Sequence, residues 1–188
     1  MDRAKDKNVF DDIVKMINNI KSYFIKHNQT IYENPSPGNK DGGISTLEEK
    51  SLGCIQKGGT AQVNAVLDYG KRCVESGLNL LTGPGNDIVS CTNLAASGAN
   101  MILFTTGRGT PLGAPVPTLK ISTNSNLFTK KPNWIDYNAG EILSTMNFAD
   151  ATDELLRLVL DIASGKVRTK NEINSYREIA IFKDGVTL

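Results

Sequence analysis

Between residues 78 and 137, short apolar runs alternate with polar segments, and this limits the chain to a small group of folds. The runs are Leu78-Asn79-Leu80-Leu81, Met101-Ile102-Leu103-Phe104, Thr118-Leu119-Lys120-Ile121 and Asn133-Trp134-Ile135-Asp136-Tyr137. They are too short for helices and alternate with helical segments, so they predict buried strands of a parallel sheet. Residues 88–96 have a helical pattern that stops at Gly98. The Pro-rich segment 111–117 stands where the next helix belongs, so the crossover there is expected to be irregular. The fold class expected is α/β with a mostly parallel sheet.

Residues 9–24 carry apolar side chains at helical spacing, with Asn8 as N-cap and Asp11 and Asp12 near the positive end of the dipole. Residues 28–43 hold Pro35, Pro37, Gly38, Gly42 and Gly43 and read as a long loop, either a linker or a functional segment. Ser45 and Glu48 have capping-box spacing and predict a short helix ending near Gly53. Thr60 is expected to cap a helix through Val63, Val66, Leu67 and Val74 that stops at Gly77. Asp150 is expected to cap a final amphipathic helix ended by Gly165, and 179–182 to form a last strand. The organisation expected is an amino-terminal helical segment, 1–27, and an α/β portion, 28–188.

With 21 basic and 20 acidic side chains the formal net charge is +1, which offers neither nucleic acid nor an anionic membrane a footprint. No segment approaches the ~18 apolar residues of a membrane span, and residues 1–7 lack the apolar core of a secretory signal. Cys54, Cys73 and Cys91 are odd in number and widely spaced, which suits a reducing cytoplasm. With His27 the single histidine, a self-contained His/Cys zinc site is not expected. A metal held by this chain alone would rely on oxygen donors and suit Mg, Mn or Ca; ferrous iron would need ligands from elsewhere.

In open parallel sheets, ligands bind beyond the carboxyl ends of the strands. The segments there are 83–87, 105–110 and 122–124. Gly85 and Asn86 precede a helix N-terminus whose free N–H groups favour an anion, and Asp87 is a candidate metal ligand. Arg108, between glycines and near Thr106, can grip a carboxylate through two parallel hydrogen bonds. Ser122 and Asn124 suit sugar hydroxyls. Lys57 is a candidate base, and Glu48 and Glu49 candidate acid–base groups. Each has a plainer reading: glycines as turns, Asp87 serving the dipole, Arg108 and Glu49 solvated, Glu48 capping. No dinucleotide fingerprint or phosphate loop occurs, which disfavours a nucleotide-binding oxidoreductase, and nothing suggests a Ser–His–Asp site.

Residues 32–40, 42–54, 83–87, 104–111 and 177–188 together resemble the altronate/galactarate dehydratase family, over about 31–188. The resemblance implies a Rossmann-like carboxyl-terminal domain with an unusual crossover, here partial. It implies a cytoplasmic hydro-lyase of hexuronate breakdown, turning D-altronate into 2-dehydro-3-deoxy-D-gluconate and water with Fe2+ or Mn2+, whose ligands are expected partly outside this chain. The partners implied are the sugar-acid substrate, the missing amino-terminal domains of the same enzyme and a second copy in a homodimer. The rival expectation is a truncated, non-catalytic sugar-acid-binding or assembly module.

Overall fold

The computed structural model describes residues 2–30 and 35–185. Its contacts divide the chain into two compact units: Met1–Asp68, Cys73–Thr82 and Lys183–Leu188 in one, and Tyr69–Arg72 with Gly83–Phe182 in the other.

The first unit opens with α1, Lys7–Lys26, which starts where the Asp6 carboxylate accepts from the Val9 N–H. The N-cap is therefore Asp6 rather than Asn8. Within the predicted loop lies a short helix, α2 (Pro37–Asp41), begun by a proline where a missing N–H costs nothing. In α3, Leu47–Lys57, the capping box pairs Thr46 with Glu49, one residue beyond the expected pair Ser45 and Glu48.

The helix expected after Thr60 does not form. Residues Val63–Leu67 are β1, parallel to β2, Leu78–Leu81. Val63, Val66 and Leu67 satisfy helical spacing, but a distant partner decides: the Val63 N–H donates to the Arg3 carbonyl, and the Lys5 N–H to the Val63 carbonyl. Extended pairing on both edges of a β-branched segment outweighs a weak helical pattern.

The second unit holds α4 (Asp87–Ala96), the strands β3 (Ile102–Thr106) and β4 (Thr118–Ser122), α5 (Ser125–Lys130), β5 (Tyr137–Asn138), a 3-10 turn (Ala139–Leu143), α6 (Phe148–Ala163) and α7 (Lys170–Ile173). The strands form one parallel sheet in the order β3-β4-β5. The two parallel sheets bear out the α/β reading. The β3–β4 connection contains no helix, as its prolines dictate.

Strand β4 is buried along its whole length. Leu119 and Ile121 join Tyr137 and Ile162 in a core completed by Leu155, Leu158 and Val159 of α6. The opposite side of the sheet packs Ile102 and Phe104 against Ile88 and Cys91 of α4 and against Leu112, Ala114 and Val116 of the connection.

Three expectations are corrected here. The fourth run gives only a two-residue strand, because 131–135 turns, with the Trp134 and Ile135 N–H groups donating to the Lys131 carbonyl. Helix α6 is capped by Asn147, whose side chain accepts from the Asp150 N–H, so Asp150 lies inside the first turn. Residues 179–182 form no strand. Their extended backbone sends its N–H groups to side chains instead: Ala180 to Thr92 Oγ1 and Phe182 to Tyr69 Oη.

Candidate functional site

The register of the second sheet sets Thr106, Ser122 and Asn138 side by side at the carboxyl ends of β3, β4 and β5. The loops that follow are laced together. The Thr123 N–H donates to the Thr106 carbonyl at 3.1 Å, and Asn124 Nδ2 donates to the Gly107 carbonyl at 3.0 Å. Gly140 closes the third side. A Cβ there would run into the Ser125 nitrogen and would lie 2.6 Å from the Asn124 backbone carbon, so only glycine allows this approach. The structure thus brings 105–110 and 122–124 onto one rim.

Most polar groups of that rim are already engaged. Thr106 Oγ1 accepts from the Gly109 N–H at 2.9 Å, and Ser122 Oγ is bonded to the backbone of Asn124. Asn124 Oδ1 caps α5 through the Leu127 N–H. These side chains shape the rim, and Arg108 is what it presents: exposed, with no ion pair or hydrogen bond among the described residues. Gly109 follows with φ of +84°, a conformation glycine adopts freely.

The 83–87 segment is organised by α4. Asn86 caps the helix through the Val89 N–H at 3.3 Å, and the Pro84 carbonyl accepts from Ser90 Oγ. Gly85 has open space where a side chain would be, and Asp87 is exposed in the first turn. Among the described residues no hydrogen bond joins 83–87 to the other two segments.

The candidates on α3 belong to the first unit. Glu49 is not simply solvated: its carboxylate accepts from the N–H groups of Ser45 and Thr46 and from Ser45 Oγ. Those bonds, the Ser45 N–H foremost, hold its carboxyl below the ordinary value. Glu48 and Lys57 are exposed. The same unit has a small hollow of about 140 Å³ beyond β1 and β2, lined in part by Asp12, Lys15, Asn19, Asp68 and Thr82.

Sequence reasoning passed over the most unusual side chain, Lys120. It sits on β4 at 0 % exposure, and its Nζ donates to the Thr110 carbonyl at 2.9 Å. The Tyr176 ring lies 5.8 Å away. Burial pushes the ammonium down from its ordinary value, while Asp136 and Glu178 oppose that shift. Asp136 is tied in turn to the strand. Its two oxygens accept from the Lys120 and Lys170 N–H groups, each at 2.7 Å. Burial pushes the Asp136 carboxyl up, against the pull of those two donors and of the two lysine charges. Glu178 accepts from the Gly113 N–H at 2.7 Å. The available signal was a lysine inside a run already read as buried, because an ammonium there requires acceptors and counter-charge.

The family profile described as D-galactarate/altronate dehydratase, C-terminal, matches residues 1–187. The chain belongs to that family. It is 53% identical over 188 residues to an altronate dehydratase of Escherichia coli K12, covering 100% of this chain and 38% of that protein. Identity to an altronate dehydratase of Bacillus subtilis 168 is 51% over 189 residues, again 100% of this chain and 38% of the relative. A galactarate dehydratase (L-threo-forming) of Escherichia coli K12 is 38% identical over 152 residues, 79% of this chain and 29% of that protein. The chain therefore spans well under half the length of these dehydratases. The laced rim lies within the residues that the C-terminal family profile matches.

Proposed function

We propose that this chain is the carboxyl-terminal portion of a cytoplasmic sugar-acid dehydratase that converts D-altronate to 2-dehydro-3-deoxy-D-gluconate and water. The higher identity to the altronate enzymes, 53% and 51% against 38% for the galactarate enzyme, favours altronate. The observation that carries the reading is the rim that offers an exposed guanidinium, Arg108, between two anchored glycines.

The chemistry asks for such a group. A base removes the proton on the carbon next to the carboxylate, and the electron pair builds up beside an existing negative charge. The hydroxyl on the next carbon leaves with a proton from an acid, and the resulting enol becomes the 2-keto acid. A guanidinium holding the carboxylate through two N–H donors both orients it and offsets that charge. Lys57 and Glu48 are the proposed acid–base groups; the bonds to Glu49 make it a cap first. Gly85 and Asn86 supply further N–H and amide groups for an anion or hydroxyl.

An Fe2+ or Mn2+ cofactor belongs to the same proposal, but the described residues do not fit a complete site. Among them no group of three His, Cys, Asp or Glu side chains comes together. Asp87 is the single donor proposed from this chain, with the other ligands outside it. The free thiols of Cys54, Cys73 and Cys91 accord with a reducing compartment, and no described helix is long and apolar enough to cross a membrane.

The test supplies the purified chain, under reducing conditions with Fe2+, with the amino-terminal part of an altronate dehydratase and follows 2-keto acid formation from D-altronate. Turnover is expected. Losing a charged, two-pronged contact costs about 1.5–3 kcal/mol, so Arg108→Ala is expected to raise KM about ten- to hundredfold. An unchanged KM removes Arg108 as the carboxylate clamp. The coverage of only 38% of the relatives keeps a second reading in view, a sugar-acid-binding module without turnover. Altronate binding with no product in the supplemented mixture would establish it.

A further inference from the structure

We infer that Lys120 is a positioning residue: its buried side chain anchors the carboxyl end of the loop that presents Arg108. The loop runs from Gly107 to Thr110 and is tied at both ends. At its start, Asn124 Nδ2 donates to the Gly107 carbonyl at 3.0 Å. At its finish, Lys120 Nζ donates to the Thr110 carbonyl at 2.9 Å. Between them, Thr106 Oγ1 takes the Gly109 N–H. The apex, Arg108, is left exposed.

A neutral donor could make the same bond, so the choice of an ammonium on a fully buried strand position needs a reason. Desolvating that charge is costly unless acceptors and counter-charge compensate it. The compensating charges are those of Asp136 and Glu178. Glu178 is fastened to Gly113, and Asp136 to the backbone of Lys120 and Lys170. Tyr176 presents its ring toward Nζ. The charges of Asp136 and Glu178 favour the ammonium, and its hydrogen bond ties Thr110 to β4. A bond from a charged donor is about twice as strong as a neutral one. That strength falls on a loop whose glycines would otherwise leave it loose. That the loop grips a carboxylate rests on the function proposed above; that Lys120 orders it does not.

The experiment uses the full chain and amide hydrogen exchange, together with the rate of tryptic cleavage after Arg108. Lys120→Met keeps the length and removes the charge. Exchange protection at 108–110 is expected to fall about tenfold or more, and cleavage after Arg108 to accelerate likewise, while α6 keeps its protection. Ile162→Val, on the other face of the sheet, serves as the control for general destabilisation and should not loosen the loop selectively. In a second variant, Lys120→Ala, n-propylammonium is expected to restore protection and n-propanol is not. Unchanged loop protection in Lys120→Met, a loss shared equally by α6, or rescue by the alcohol as well as the amine would overturn the inference. D-altronate binding is measured separately. A loosened loop with unaltered altronate affinity would keep the positioning role and remove the carboxylate-binding reading.

Discussion

Replacing Asp136 tests the polar support of β4 most directly. A central parallel strand normally bonds a neighbour on each edge, yet β5 reaches only Ile121 and Ser122. Farther back along β4 two strand N–H groups are taken by side chains, while the Lys120 carbonyl accepts from the Asp136 N–H. Asn171 Oδ1 takes the Thr118 N–H at 3.0 Å, and Asp136 takes the Lys120 N–H at 2.7 Å and, with its other oxygen, the Lys170 N–H. Asp136→Asn keeps one acceptor and turns an amide NH2 toward the second donor. That costs one hydrogen bond to a charged acceptor and strands a donor, about 1.5–3 kcal/mol. Asp136→Ala strands both donors and removes counter-charge from Lys120, for about 3–5 kcal/mol. Urea unfolding followed through Trp134, the chain's single tryptophan, reads this unit. With a slope of about 2 kcal/mol/M, the midpoint should drop by about 1 M for Asn and about 2 M for Ala. The Asn variant must also fall between wild type and Ala. A shift under about 0.2 M in the Asn variant would mean the carboxylate does not bridge β4 and the start of α7.

Two further outcomes are expected. Because the folded state lowers the Lys120 ammonium below its ordinary 10.5, it releases that proton before the unfolded chain does. Between the lowered value and 10.5 the unfolded state binds more protons, so stability rises with pH, is fully gained above 10.5, and is lost as pH falls through the folded value. The urea midpoint of wild type minus that of Lys120→Met should therefore climb across that alkaline window, and a flat difference would contradict it. Gly140→Ala forces a methyl into the Asn124–Ser125 backbone and should cost about 1–3 kcal/mol. It should also shift the amide resonances of 122–124 in a heteronuclear spectrum; unmoved resonances would show that the approach is not tight.

What could be read from the sequence, and what could not, divides along the range of the interactions. Runs 78–81, 101–104 and 118–121 became strands because short apolar runs between polar segments are too brief for helices and pair side by side in parallel sheets. Segment 63–74 misled because its pattern fitted a helix locally, while its pairing with 3–5 and with β2 is set by residues far away. Residues 179–182 misled in the opposite way: extended and apolar, they found Thr92 and Tyr69 side chains rather than a ladder. The rim shows both effects together. Its loops were visible as glycine and polar residues after strands, and Arg108 stood out among them. Short polar side chains such as Asn124 and Ser122 were legible only as donors and acceptors. Whether such a group faces a ligand or its own backbone depends on whether a helix starts beside it, and α5 starts at Ser125. The same argument explains Lys120. A lone charge in an apolar run predicts that partners must exist, but not which: here they arrive from 110, 136, 176 and 178, and only the folded sheet gathers them. The cost of burying that charge therefore locates a constraint on the loop that carries Arg108, a link that neither residue discloses alone.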